Sequence, residues 1–230
     1  MYHNVCQTEN ESKGLSISKA KLELQLEYLS KNNYATFHFS ELVNMKTLPE
    51  KSIVLTFDDV TENQLIYAAN LLEKYNLKAS FFIPFAYLGK TDLWNFGTEK
   101  IMTIDQLKQL NPKWIELGYH SYEHKKYDSM SELAIQKDFI KCNSIIKEND
   151  LQVFSALAYP YGNYPRNKTD NQKFKNLIHK NGIKFGLKIG NRPNQFPFKD
   201  NYEIKRIDIK GEDSFLAFKL KLRFGKLKLF

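Results

Sequence analysis

Asp58 and Asp59 close the apolar run Ile53-Val54-Leu55-Thr56-Phe57, and His120-Ser121-Tyr122-Glu123-His124 follows a second run of that kind. One carboxylate with two imidazoles can hold a divalent metal and leave positions open for water and substrate. The second carboxylate is then free to take a proton from the attacking water. This is the minimum equipment of a metal-dependent hydrolase. Each part alone has a plainer explanation: neighbouring Asp residues after a strand serve as turn formers and helix N-caps, and histidines four apart can be solvated on a helix. If residues 120–124 are helical, positions i and i+4 put both imidazoles on one face, and the joint occurrence favours the metal. Phosphatases with an aspartyl nucleophile want Asp-x-Asp instead. Adjacent acids cannot face the same way along an extended backbone, which suits divided labour, Asp59 on the metal and Asp58 on the water.

The elements that must position these residues alternate along the chain. Leu22, Leu26 and Leu29 at helical spacing predict an amphipathic helix over 18–31. A strand at Ile53–Phe57 precedes a helix around 62–75 with Leu65, Ala69 and Leu72 on one stripe. Lys78–Ile83 reads as a buried strand stopped by Pro84, and Trp114–Tyr119 as a strand entering His120. Ile135, Phe139, Cys142 and Ile146 mark another helix, Val153–Tyr159 a strand, and Phe174, Leu177 and Ile178 a helix. Lys184–Ile189 and Ile204–Ile209 are late strands. About six parallel β-α units predict an α/β fold, a single-domain distorted or incomplete (β/α) barrel over residues 1–230. No Gly-x-Gly-x-x-Gly follows the first strand, which argues against a nucleotide-binding sheet. Asp58, Asp59, His120 and Tyr161 each fall where a predicted strand ends, the end at which barrel loops converge on a site.

Composition sets the outer bounds. At 230 residues, with 42% hydrophobic and 26% charged residues, the chain has the make-up of an ordinary globular protein. The formal charge of +8 attracts anionic partners, but the lysines are dispersed and no nucleic-acid signature accompanies them, so nucleic acid is not an expected partner. The densest basic stretch is C-terminal, a basic amphipathic segment around 214–230. It serves either as a last amphipathic element covering the core or as a peripheral contact with an anionic membrane. No apolar stretch reaches the roughly 20 residues of a membrane span, and no signal peptide is visible at Met1-Tyr2-His3-Asn4-Val5. Cys6 and Cys142 read as free thiols. A cytoplasmic or peripheral-membrane location follows as the expectation.

Thr56-Phe57-Asp58-Asp59 together with His120-Ser121-x-x-His124 resembles the first two motifs of the polysaccharide deacetylases, the NodB-homology group or carbohydrate esterase family 4. Ala158-Tyr159-Pro160-Tyr161-Gly162 resembles the third, and Lys78-Ala79-Ser80-Phe81-Phe82 fits the family's second core strand. The resemblance implies hydrolysis of an acetamide on an N-acetylated polysaccharide or glycolipid, with Asp59, His120 and His124 holding a divalent metal, Zn²⁺ foremost, and Asp58 as base. Two departures stand out. Ala158 occupies the place of an arginine that steadies the base, and Gly186-Leu187-Lys188-Ile189 lacks the late Leu-x-His. Tyr2-His3-Asn4-Val5 ahead of the Thr-Phe-Asp-Asp strand resembles the circularly permuted branch that de-N-acetylates poly-N-acetylglucosamine, and there the histidine lies N-terminally. By that resemblance His3 is the general acid; on the residues alone it is equally a structural histidine of a terminal strand. Pro160 and Tyr161 are expected beside the oxyanion, with a backbone N–H near Tyr161. Trp94 is either a stacking wall for a sugar ring or core packing, Val60 stands where relatives often have glycine, and His38 and His179 read as structural. The alternative function is a catalytically silent carbohydrate-binding protein on the same fold.

Overall fold

The computed structural model describes residues 1–225. At its centre six parallel strands form one curled sheet: β1 Leu55–Asp58, β2 Ala79–Ile83, β3 Ile115–Tyr119, β4 Val153–Ala158, β5 Phe185–Ile189 and β6 Ile204–Arg206, in the spatial order β6-β5-β4-β3-β2-β1. Every residue of β1 and β2 is buried, as continuous apolar runs must be when both faces of a parallel sheet are covered. The strands expected from the alternation of runs are present, and the architecture is the incomplete (β/α) barrel.

Residues Met1 and Tyr2 span the barrel's open seam. The Tyr2 amide donates to the Thr56 carbonyl (2.8 Å) and the Asp58 amide to the Tyr2 carbonyl (3.0 Å), which ties this segment to β1. Met1 N donates to the Ile207 carbonyl (2.9 Å) and the Ile209 amide to the Met1 carbonyl (3.1 Å), which ties it to the chain just past β6. The Tyr2 ring stacks on Phe57 with centroids 5.0 Å apart, and its hydroxyl donates to Gln25 Oε1 at 2.7 Å. His3 is thereby delivered to the C-terminal end of β1.

The helix Lys19–Lys31 begins where the Ser18 hydroxyl accepts from the Lys21 amide, and it buries Leu22, Leu26 and Leu29 completely. Each such burial is worth about 1.5–3 kcal/mol. Two expectations are corrected in detail. The run Ile53–Phe57 is not one strand, because Ser52–Ile53 pairs with Ala35–Thr36 before β1 starts at Leu55. The helix after β1 opens as a π-helix, Gln64–Ala69, and becomes α-helical only at Asn70–Lys74. The fully buried positions are Gln64, Ala68, Leu71 and Leu72, so of the expected stripe Leu72 is fully buried while Leu65 and Ala69 are half-buried against the core.

The helix Phe215–Phe224 belongs to the basic C-terminal segment. Its Phe218 is buried, and Tyr28 meets Phe215 and Phe218 edge-on at 5.5 and 6.3 Å. This part of the segment therefore covers the core, while residues 226–230 lie outside the described residues. Among the described residues no helix is long and apolar enough to cross a membrane. Cys6 and Cys142 are free.

Candidate active site

β1 runs out at Asp58, and the chain reverses through Asp59 and Val60, whose φ angles are +78° and +43°. The reversal lets two adjacent acids face one cavity, which an extended backbone forbids. A β-branched residue at positive φ is strained, and Val60 is held there by complete burial and by the Met102 amide donating to its carbonyl at 2.9 Å.

The histidine segment corrects an expectation. Residues 120–124 form no helix; they make a loop in which Ser121 (φ +63°) and His124 (φ +53°) are left-handed. The loop is pinned by the Ala86 amide on the Tyr122 carbonyl (2.8 Å) and by Asp138 Oδ1 accepting from the Tyr122 amide (2.9 Å). The two imidazoles converge all the same, with His120 Nε2 and His124 Nε2 3.1 Å apart and each 3.4 Å from Asp59 Oδ1.

These separations test whether a cation fits. Tetrahedral bonds of about 2.0–2.2 Å place ligand atoms roughly 3.3–3.6 Å from one another, close to the spacing found. His120 Nδ1 donates to the Ala158 carbonyl at 2.7 Å, which leaves its Nε2 lone pair facing His124 and Asp59. Asp59 Oδ1 is buried without a hydrogen-bond partner. Burial, then the nearby Asp58 and Asp92 carboxylates, push the Asp59 carboxyl well above its ordinary range. Burial also lowers both histidines, His124 to about 2, with His120 adding to the effect there. Two imidazoles and a carboxyl lacking a counter-charge, with ligand atoms within 4.8 Å of one another, form a group that could hold a divalent cation.

Asp58 stands apart from that set in its partner. Arg206, at the end of β6, grips it in a bidentate pair, Nη1 to Oδ1 at 2.5 Å and Nη2 to Oδ2 at 2.8 Å. Burial alone would raise the Asp58 carboxyl, but Arg206, with His120 and His3, outweighs it and holds the group far below the usual carboxylate range. Arg206 thus supplies what Ala158 cannot. Its signal was in the strand Ile204-Lys205-Arg206-Ile207-Asp208, where a period of two puts Arg206 on the same face as Ile204.

His3 joins the group from the opposite end of the sequence, Nε2 lying 3.7 Å from Asp58 Oδ2. Burial lowers its pKa to about 4, partly opposed by the Asp58 carboxylate. The cavity, about 260 Å³, is lined by His3, Asp58, Asp59, His120, His124, Trp94 and Tyr161, and by Asp92, Arg206 and Asp208, which the sequence had not pointed to. Trp94 stacks on His124 at 4.4 Å, and Tyr161, half exposed, meets the same ring at 4.8 Å. Trp94 is thus both cavity lining and packing: it also meets Tyr87 edge-on at 4.6 Å and lies against the main core. Pro160 is buried in the turn Pro160–Gly162, directly before Tyr161 and Gly162, which line the cavity. His38 and His179 lie outside the cavity.

Known proteins share both sequence and fold with this chain. The poly-beta-1,6-N-acetyl-D-glucosamine N-deacetylase of Staphylococcus epidermidis is 24% identical over 211 residues, spanning 88% of this chain and 71% of that one. The protein of the same name from Staphylococcus aureus strain MSSA476 is 26% identical over 220 residues, 90% and 72% of the two chains. Among solved structures, the Streptococcus pyogenes deacetylase PplD in complex with acetate superposes with a TM-score of 0.75 at 20% identity, over 99% of this chain and 96% of that one. IcaB from Ammonifex degensii gives 0.76 at 20% identity, over 96% and 93%. The sequence profile described as polysaccharide deacetylase matches residues 45–181, more than half the chain and the stretch that carries Asp58, Asp59, His120, His124 and Tyr161. On that match, this chain belongs to the polysaccharide deacetylase family.

Proposed function

We propose that this protein is a metal-dependent N-deacetylase of a polysaccharide built on N-acetylglucosamine, hydrolysing the acetamide to a free amine and acetate. The observation that carries the reading is the separation of two jobs within one cavity. Asp59, His120 and His124 bring their ligand atoms within 4.8 Å of one another, while Asp58 is bound to Arg206 beside them. The names of the staphylococcal relatives support the substrate class.

Asp59, His120 and His124 would hold the cation, with Zn²⁺ favoured by the nitrogen-rich set. Bound there, a divalent metal would supply Lewis-acid polarisation of the acetyl oxygen and a water whose pKa falls from 15.7 to roughly 7–9. The remaining steps belong to the chain. Asp58 takes the proton of the attacking water. Held acidic by Arg206, it does not keep that proton, and His3 Nε2, 3.7 Å from Asp58 Oδ2, is placed to receive it. His3 then protonates the departing amine; burial keeps its ring neutral until that moment. Trp94 and Tyr161 flank the metal side of the cavity, and aromatic faces of this kind stack on the apolar side of a sugar ring.

Acetate release from a β-1,6-linked N-acetylglucosamine oligomer by the Zn²⁺-loaded protein tests the reading. Asp58→Asn is expected to keep the metal by elemental analysis and to lose turnover by about 10²–10⁴-fold. Asp59→Asn and His124→Ala are expected to lose the metal itself. A metal-loaded protein that binds the oligomer and frees no acetate would instead be the catalytically silent carbohydrate-binding protein.

A further inference from the structure

His3 lies between two stretches held by backbone hydrogen bonds: Tyr2, bridged to β1, and the strand Asn4–Cys6, paired in parallel with Ser16–Ser18. Two neighbouring amides at the start of the π-helix add side-chain holds within this segment, and the hold on His3 itself comes from Gln64. Gln64, completely buried, donates from Nε2 to the His3 carbonyl (2.8 Å) and to the Asp58 carbonyl (2.5 Å), so one side chain joins segments 55 residues apart in sequence. Two carbonyl acceptors on one side settle the orientation of the amide, since its oxygen would be repelled there. Asn63 continues the contact: its Oδ1 accepts from the Val5 amide (2.9 Å) and from the Thr61 hydroxyl (2.8 Å), and its Nδ2 donates to Glu99 Oε2 (2.9 Å). Gln64 lies in the buried row of this helix with Ala68, Leu71 and Leu72, whereas Leu65 is only half-buried.

We infer that Gln64 and Asn63 are positioning residues for the reaction: they clamp the His3 segment to the turn that follows β1 and so set the imidazole against Asp58. This rests on the reading of His3 as the proton donor. Neither residue touches the cation donors through a side-chain hydrogen bond, and neither carries charge. Their effect is expected on proton delivery alone, in kcat and not in metal affinity or KM.

The test is a double-mutant cycle on the full chain loaded with Zn²⁺, following acetate release from the N-acetylglucosamine oligomer, with metal affinity measured by chelator competition. Gln64→Met, close in volume and without the amide, is expected to lower kcat by about tenfold to a hundredfold while metal affinity and KM stay within about twofold. In the His3→Ala background the same substitution is expected to cost nothing more, because the group it positions is gone. An equal loss with and without His3, or full kcat in Gln64→Met beside a disabled His3→Ala, overturns the proposal. Full kcat in His3→Ala removes the proton-donor reading and this inference with it. Should Gln64→Met fail to fold, Asn63→Ala carries the same cycle from a half-buried position.

Discussion

Arg206 and Asp58 are both almost fully buried, and neither has another opposite charge as near. Removing one member of a buried pair leaves the other charged in a poor solvent, a loss of about 3–5 kcal/mol. Arg206→Met is therefore expected to destabilise the protein by that amount at pH 7, read from the urea midpoint. The pH dependence follows from the sign of the shift. Asp58 is held below its unfolded value, so its contribution is present above the unfolded pKa of about 3.9 and fades as pH falls through the folded one. Without Arg206, burial raises the carboxyl instead, and protonation relieves the strain. The gap between variant and wild type is thus expected to narrow as pH falls, and the acid limb of kcat against pH to move upward. A gap that widens toward low pH would show that the pair does not set the Asp58 carboxyl.

The elements around the cavity place side chains through turns, not regular structure. Left-handed residues occur at Asp59, Val60, Ser121, His124, Tyr161 and Gly162, all at or beside the cavity. Gly162 shows the constraint best. Its φ is +64°, and a Cβ there would lie 2.7 Å from Ile189 Cγ1 and 2.8 Å from the Ile189 nitrogen. The turn that presents Tyr161 is thus pressed directly against β5. Gly162→Ala is expected to cost about 1–3 kcal/mol by thermal or urea unfolding and to raise KM for the oligomer through displacement of Tyr161. An unchanged unfolding midpoint would mean that the turn has room to move.

For the molecule as a whole, the open seam between β1 and β6 is the decisive feature. The N-terminal residues fill it, so closure of the barrel and delivery of His3 are one event. Tyr2 carries the closure with its stacked ring and its bond to Gln25. Tyr2→Ala is expected to lose about 3–5 kcal/mol and most of kcat, while Zn²⁺ affinity in the folded fraction stays near wild type, since Asp59, His120 and His124 come from elsewhere. A proportional loss of metal affinity would show that the seam holds the cation donors as well.

The sequence by itself determined the strand and helix alternation, hence the incomplete barrel, because hydrophobic periodicity is written locally. It also exposed Asp58-Asp59 and His120-x-x-x-His124, whose chemistry shows in short spacings. It did not reveal Arg206 as the partner of Asp58, 148 residues away, nor the loop that replaces the expected helix at 120–124. The place of Gln64 in the buried row was equally hidden. Those features depend on which strand ends meet across a curled sheet and on backbone turns held by distant carbonyls. Only the tertiary structure decides them, because the groups that fix each one lie far along the chain from the residue they fix.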